Sequence, residues 1–245
     1  MIRRSHGLSI ILVLAATLAG GEPASERNGA LPTLGELLKR HNIELTQSAL
    51  VQALTNADPE VRYLAALKLA EDKAGEAIPA IKDALASEKV PRTRINIAFA
   101  LAEFGEPTGF DALEDNCRNH DAREGIAAQS AEYMLRFKRE CATCLNALLD
   151  VLQTGSNGYR AQAASLLPYF HNLSAEDSER VFAGLLGALH ASDAFVEMAA
   201  GRALADLGDI RAIPELREAA TKEQEEAVRT QIEQDLAILQ EKTRR

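Results

Sequence analysis

The chain repeats itself. The stretch "DPEVRYLAALKLAEDKAGEAIPAIKDAL", from Asp58 to Leu85, returns as "SDAFVEMAAGRALADLGDIRAIPELREAA", from Ser192 to Ala220, with Val61 answered by Val196 and Ala77 by Ala212. The same register recurs at Thr93, Ala127, Tyr159 and Val228. Eight residues beyond each anchor stands a leucine: Leu69, Leu101, Leu135, Leu167, Leu204 and Leu236. Midway lie small or apolar residues, Ala65, Ile97, Ala131, Ala163, Ala200 and Ile232. Positions 0, 4 and 8 share one helical face, small where a neighbouring helix must approach. Each unit therefore opens with an inner helix. Nine residues after four of the leucines, Ile78, Phe110, Cys144 and Ile213 mark a second helix. Units of 32 to 37 residues with two helices bury their apolar faces only by stacking. The expected fold is an all-α solenoid of about six helical pairs.

Composition agrees: aromatic residues are 4% and Trp is absent, while Ala and Leu dominate. The "D-P-E-V-R-x-x-A-A" entry to the first inner helix and the "A-I-P" start of the outer helices resemble HEAT repeats of the phycobilisome-lyase type, over about Thr46 to Leu239. The resemblance implies a right-handed superhelix that acts as a non-enzymatic scaffold, with a protein or peptide held on its concave surface. An arginine follows the anchor at Arg62, Arg94, Arg160 and Arg229, but Ala128 and Glu197 stand there in the third and fifth units. An Asp–Arg ladder along the stack is expected to break at those two places.

The opening "MIRRSHGLSIILVLAATLAGGEPASE" has Arg3 and Arg4, an apolar run from Leu8 to Ala19, and small residues around Gly20 and Gly21. That order predicts a secretory signal over residues 1–21 and an exported protein, periplasmic or extracellular. Residues 22–31 read as a disordered leader, 32–45 as a capping helix, 46–240 as the solenoid and 241–245 as a tail. No membrane span is expected once the signal is removed. The formal net charge of -9 disfavours nucleic acid, whose binding draws on clustered Lys and Arg, and favours a basic partner.

No G-x-G-x-x-G, G-x-x-x-x-G-K, G-x-S-x-G or H-E-x-x-H occurs, and no His-Glu pair of the kind the HEAT-like deoxyhypusine hydroxylases use. No enzyme activity and no cofactor are expected. Cys117, His120, Cys141 and Cys144 are spaced like zinc ligands, C-x2-H-x20-C-x2-C. A third inner helix of ~16 residues between them would hold the two groups roughly 24 Å apart, so no metal is expected. Three readings of the thiols remain: buried apolar packing, a local Cys141–Cys144 bridge, and thiol redox chemistry by that pair, which makes a redox or enzyme-accessory protein the alternative function.

Positions 2, 6 and 10 of each inner helix point away from the core. They place Tyr63, Leu67, Ile95, Phe99, Tyr133, Phe137 and Tyr169 on the expected concave face, with Glu71, Glu103 and Asp206 as an acidic rim. Aromatic stripes of this kind form binding hot spots, and equally they serve as packing between adjacent units.

Overall fold

The structure, a computed structural model, describes residues 32–118 and 125–244. The signal and leader expected over residues 1–31, and His120, lie outside the described residues. Among the described residues there are thirteen α-helices and no strand. Two short helices, α1 (Leu34–Arg40) and α2 (Gln47–Ala53), precede five pairs. The pairs are α3 (Pro59–Glu71) with α4 (Ile78–Ser87), and α5 (Pro91–Glu103) with α6 (Pro107–Arg118). Next come α7 (Ile126–Arg136) with α8 (Ala142–Thr154), and α9 (Asn157–Leu166) with α10 (Ala175–Leu189). The fifth pair is α11 (Ala194–Leu207) with α12 (Ala212–Lys222), and α13 (Glu226–Lys242) takes the inner position of a sixth unit. Each odd-numbered helix from α3 to α13 packs on the next odd-numbered one, and α6, α8, α10 and α12 form a second layer. This is an α-solenoid.

Local sequence explains the helix starts. Pro59, Pro91 and Pro107 occupy first helical positions, where a missing N–H costs nothing. Asp58, Ser174 and Asp193 accept hydrogen bonds from the first-turn amides, and Thr33 with Glu36 closes a capping box before α1. Val61, Ala65 and Leu69 are buried, as are Thr93, Ile97 and Leu101, and the repeat positions hold throughout except at Leu135, Tyr159 and Leu236, which are half-buried.

The arginine ladder takes a different form from the one expected. Arg94 donates to the Leu85 carbonyl at 2.9 Å, Arg160 to Leu152 at 2.9 Å and Arg229 to Glu223 at 3.1 Å. These carbonyls end the preceding outer helices, so the guanidinium satisfies acceptors that the helix itself leaves open. Arg62 donates to the Asn56 carbonyl and adds a two-pronged pair with Glu88 at 2.6 and 2.9 Å.

α6 comes close to the α5 backbone at Gly109. A Cβ added there would sit 2.6 Å from both the Ala102 nitrogen and the Ala98 carbonyl oxygen. Both are backbone atoms and neither can swing aside. Gly109→Ala should therefore destabilise the fold by about 2 kcal/mol, read as a lower urea midpoint. An unchanged midpoint would mean that the two helices are not packed this closely.

Candidate functional site

The inner-helix residues expected to face a partner divide into two groups. Leu67, Ile95 and Phe99 are buried, Phe99 at 4% exposure, and offer no surface; this corrects the open apolar stripe. For Phe99 the cause is the neighbouring unit. Tyr133 stacks on Phe99 with ring centroids 4.1 Å apart, Phe137 lies against Phe99 at 5.7 Å, and Phe110 meets Phe137 edge-on at 5.3 Å. Arg136 and Arg139 cap this cluster over the Phe99 and Phe110 rings. Four aromatic side chains from α5, α6, α7 and the residue after α7 thus weld two units together.

The second group keeps some exposure. Tyr63 and Tyr133 are half-buried and Tyr169 is 59% exposed. Burial pushes the Tyr63 phenol up to about 12 and also raises Tyr133, so both stay protonated donors at neutral pH. The Tyr133 hydroxyl donates to Asn96 Oδ1 at 2.7 Å and accepts from Gln129 Nε2 at 3.0 Å. One unit further, Gln162 donates to Glu132 at 3.1 Å. Glu71, Glu103 and Asp206 are exposed as expected, but Arg92, Arg136 and Arg202 interrupt the acidic rim. The inner face is a mixed polar ridge with tyrosines. Gln129 falls on position 2 of its inner helix, on the expected concave face, whereas Asn96 and Gln162 were not singled out from sequence, because amides carry no periodic signal of their own.

The cysteines are rearranged from expectation. The bridge joins Cys117 to Cys144, in place of the local Cys141–Cys144 pair, and Cys141 is the free thiol. All three sulfurs lie within 4.8 Å of one another, so the roughly 24 Å separation is also corrected. Two facts account for this. α7 has 11 residues, fewer than assumed, and α6 and α8 touch across it. Thr143 Oγ1 donates to Glu114 Oε1 at 3.1 Å, pinning the start of α8 against the last turns of α6. Cys141 is the N-cap of α8, and its sulfur accepts from the Cys144 amide at 3.1 Å. Burial raises the Cys141 thiol, assisted by nearby Glu114, against the lowering effect of the α8 amides and Arg118.

Among solved structures, an engineered protein is 20% identical over 80% of this chain and 97% of its own, with a TM-score of 0.47. A second engineered protein is 21% identical over 79% of this chain and 57% of its own, at 0.42. Human deoxyhypusine hydroxylase in complex with glycerol is 17% identical over 80% and 84%, at 0.34. Comparison with curated proteins returns no match. The profile of HEAT repeats matches residues 47–134 and 145–237. Covered by that profile over most of its length, and built from stacked helical pairs in the same register, the chain belongs to the HEAT-repeat family.

Proposed function

We propose that this protein is an exported, non-enzymatic interaction scaffold that binds an extended, basic peptide segment along its inner-helix ridge. The observation that carries the reading is the set of partly exposed tyrosines on the first, third and fourth units: Tyr63 on α3, Tyr133 on α7 and Tyr169 just after α9. Tyrosine gives large contact area with few rotors to freeze and a hydroxyl for orientation. The adjacent Gln129 and Gln162 supply amides of the kind that bond a peptide backbone, and the net charge of -9 attracts a cationic one.

Two features support export. One is the basic, apolar, small-residue order of residues 1–21. The other is the Cys117–Cys144 bridge, since such bonds persist in oxidising compartments. Among the described residues no helix is long and apolar enough to cross a membrane.

Selection of a random displayed peptide library on the mature protein tests the reading. Enriched peptides should carry Lys and Arg, and their affinity should fall about tenfold in Tyr63→Ala and Tyr169→Ala variants whose circular dichroism matches wild type. Binding that is indifferent to both changes would move the site off the inner ridge.

A further inference from the structure

The three cysteines differ in exposure. Cys117 and Cys144 are each 1% exposed, so a dissolved thiol cannot line up on their bond. Cys141 is half-buried and lines an open cleft of about 500 Å³ between the ends of α6 and α7 and the start of α10. Glu114, Lys138, Arg139, Glu140 and Asp177 share that lining. The one partly exposed cysteine therefore has its sulfur within 4.8 Å of both bridged sulfurs.

We propose that Cys141 is the exchange thiol of a three-cysteine relay, passing thiol–disulfide exchange between low-molecular-weight thiols or disulfides in the cleft and the buried Cys117–Cys144 bond. In the first step the Cys141 thiolate attacks Cys144 Sγ. The Cys141–Cys144 bond forms, the Cys144–Cys117 bond breaks, and the electron pair leaves on Cys117, which takes up the proton Cys141 has lost. This is an isomerisation and needs no external oxidant or reductant. In the second, an external thiolate entering the cleft attacks the Cys141 sulfur, giving a mixed disulfide on Cys141 and a Cys144 thiol. A second external thiol cleaves the mixed disulfide, so two thiols leave as one disulfide and the protein gains two protons and two electrons. Run backwards, the same steps load the buried bridge from an external disulfide.

The fold supplies the proximity that the first step needs, and a rotation of the Cys141 side chain has to bring its sulfur into line with the bond. Cys141 and Cys144 are three residues apart across the first turn of α8, and the Cys144 amide already points at the Cys141 sulfur. That amide and the start of a 13-residue helix favour the attacking thiolate, and they work against the burial that raises the Cys141 thiol. The Cys141–Cys144 pairing expected from the C-x-x-C spacing thus becomes the second isomer of the relay, with the observed bridge as its resting form. The proposal is independent of peptide binding on the inner ridge.

The test uses the oxidised full-length protein treated with reduced glutathione, quenched with iodoacetamide at intervals and mapped by peptide mass spectrometry. In wild type, alkylated Cys117 should appear together with a Cys141–Cys144 disulfide before full reduction. Cys141→Ser keeps a good N-cap, so the fold should survive. There the bridge should be reduced on the order of tenfold or more slowly, while urea-unfolded wild type and variant should be reduced at equal rates. Equal rates in the folded proteins, or no Cys141–Cys144 intermediate in wild type, would overturn the relay. So would purified protein carrying three reduced thiols on a stoichiometric soft metal ion.

Discussion

Removing the Cys117–Cys144 bridge by the paired change Cys117→Ala, Cys144→Ala should lower stability by about 3–4 kcal/mol. The bond closes a 27-residue separation, and in the unfolded chain that closure removes conformations the free chain would otherwise sample. For a chain of this size the loss corresponds to a Tm drop of roughly 10 °C. It should also be local in character, because the bridge ties α6 to α8 and spans α7 with its flanking links. Hydrogen exchange in α7 should accelerate before exchange in α11 or α13 does. Thermal unfolding and exchange mass spectrometry check both parts. An unchanged Tm, with three thiols titrating in the wild-type protein, would show that the bridge does not form.

Glu197 gives the second large effect, through pH. It occupies the place that Arg62 holds in the first unit, just as Glu223 occupies the place of Glu88, each 135 residues on. Glu88 and Glu223 both end an outer helix and bond the amide two residues later, at Val90 and Glu225 respectively. The Arg62–Glu88 pair of the first unit is therefore a Glu197–Glu223 pair in the fifth. Glu197 is only 8% exposed, and burial together with its bond to Glu223 raises its carboxyl from the usual 4.5 to about 7. Protonated Glu197 donates to the Glu223 carboxylate. Glu223 itself is held below its usual value, chiefly by the Glu225 amide.

A raised carboxyl binds its proton more tightly in the folded chain than in the unfolded one. Its stabilisation is present in full below about pH 4.5 and is lost as pH rises through about 7. At about 1.4 kcal/mol per pH unit, the loss is at most about 3.5 kcal/mol. The opposite shift at Glu223 trims the net fall. Urea unfolding between pH 4.5 and 8 should show stability falling in wild type and a flatter profile in Glu197→Gln, which donates to Glu223 at every pH. Glu197→Arg should be more stable than wild type above pH 7, since it rebuilds the pair seen between Arg62 and Glu88. A wild-type profile that is flat across this range would sink the explanation.

Much of this was present in the sequence and some of it was readable there. The Arg62–Glu88 and Glu197–Glu223 correspondence follows from the repeat register alone, although its consequence needed the observation that these residues meet. The inner-helix anchors were legible because burial at positions 0, 4 and 8 is set by helical geometry within one unit. The same geometry directed Tyr63 and Tyr169 away from that face, and both keep some exposure. It failed at Phe99, which points away from its own unit's core and is then covered by Tyr133 and Phe137 from the next.

The sequence by itself determined the helices, their order, their starts at Pro59, Pro91 and Pro107, and their stacking as a solenoid, because propensity, capping and periodicity act over a few residues. Only the tertiary structure decided which aromatic residues stay open and which cysteine Cys144 pairs with. Both depend on the rotation and stagger of one unit against the next. Those quantities are fixed by packing between residues some thirty positions apart, where Cys117 meets Cys144 and Asn96 meets Tyr133.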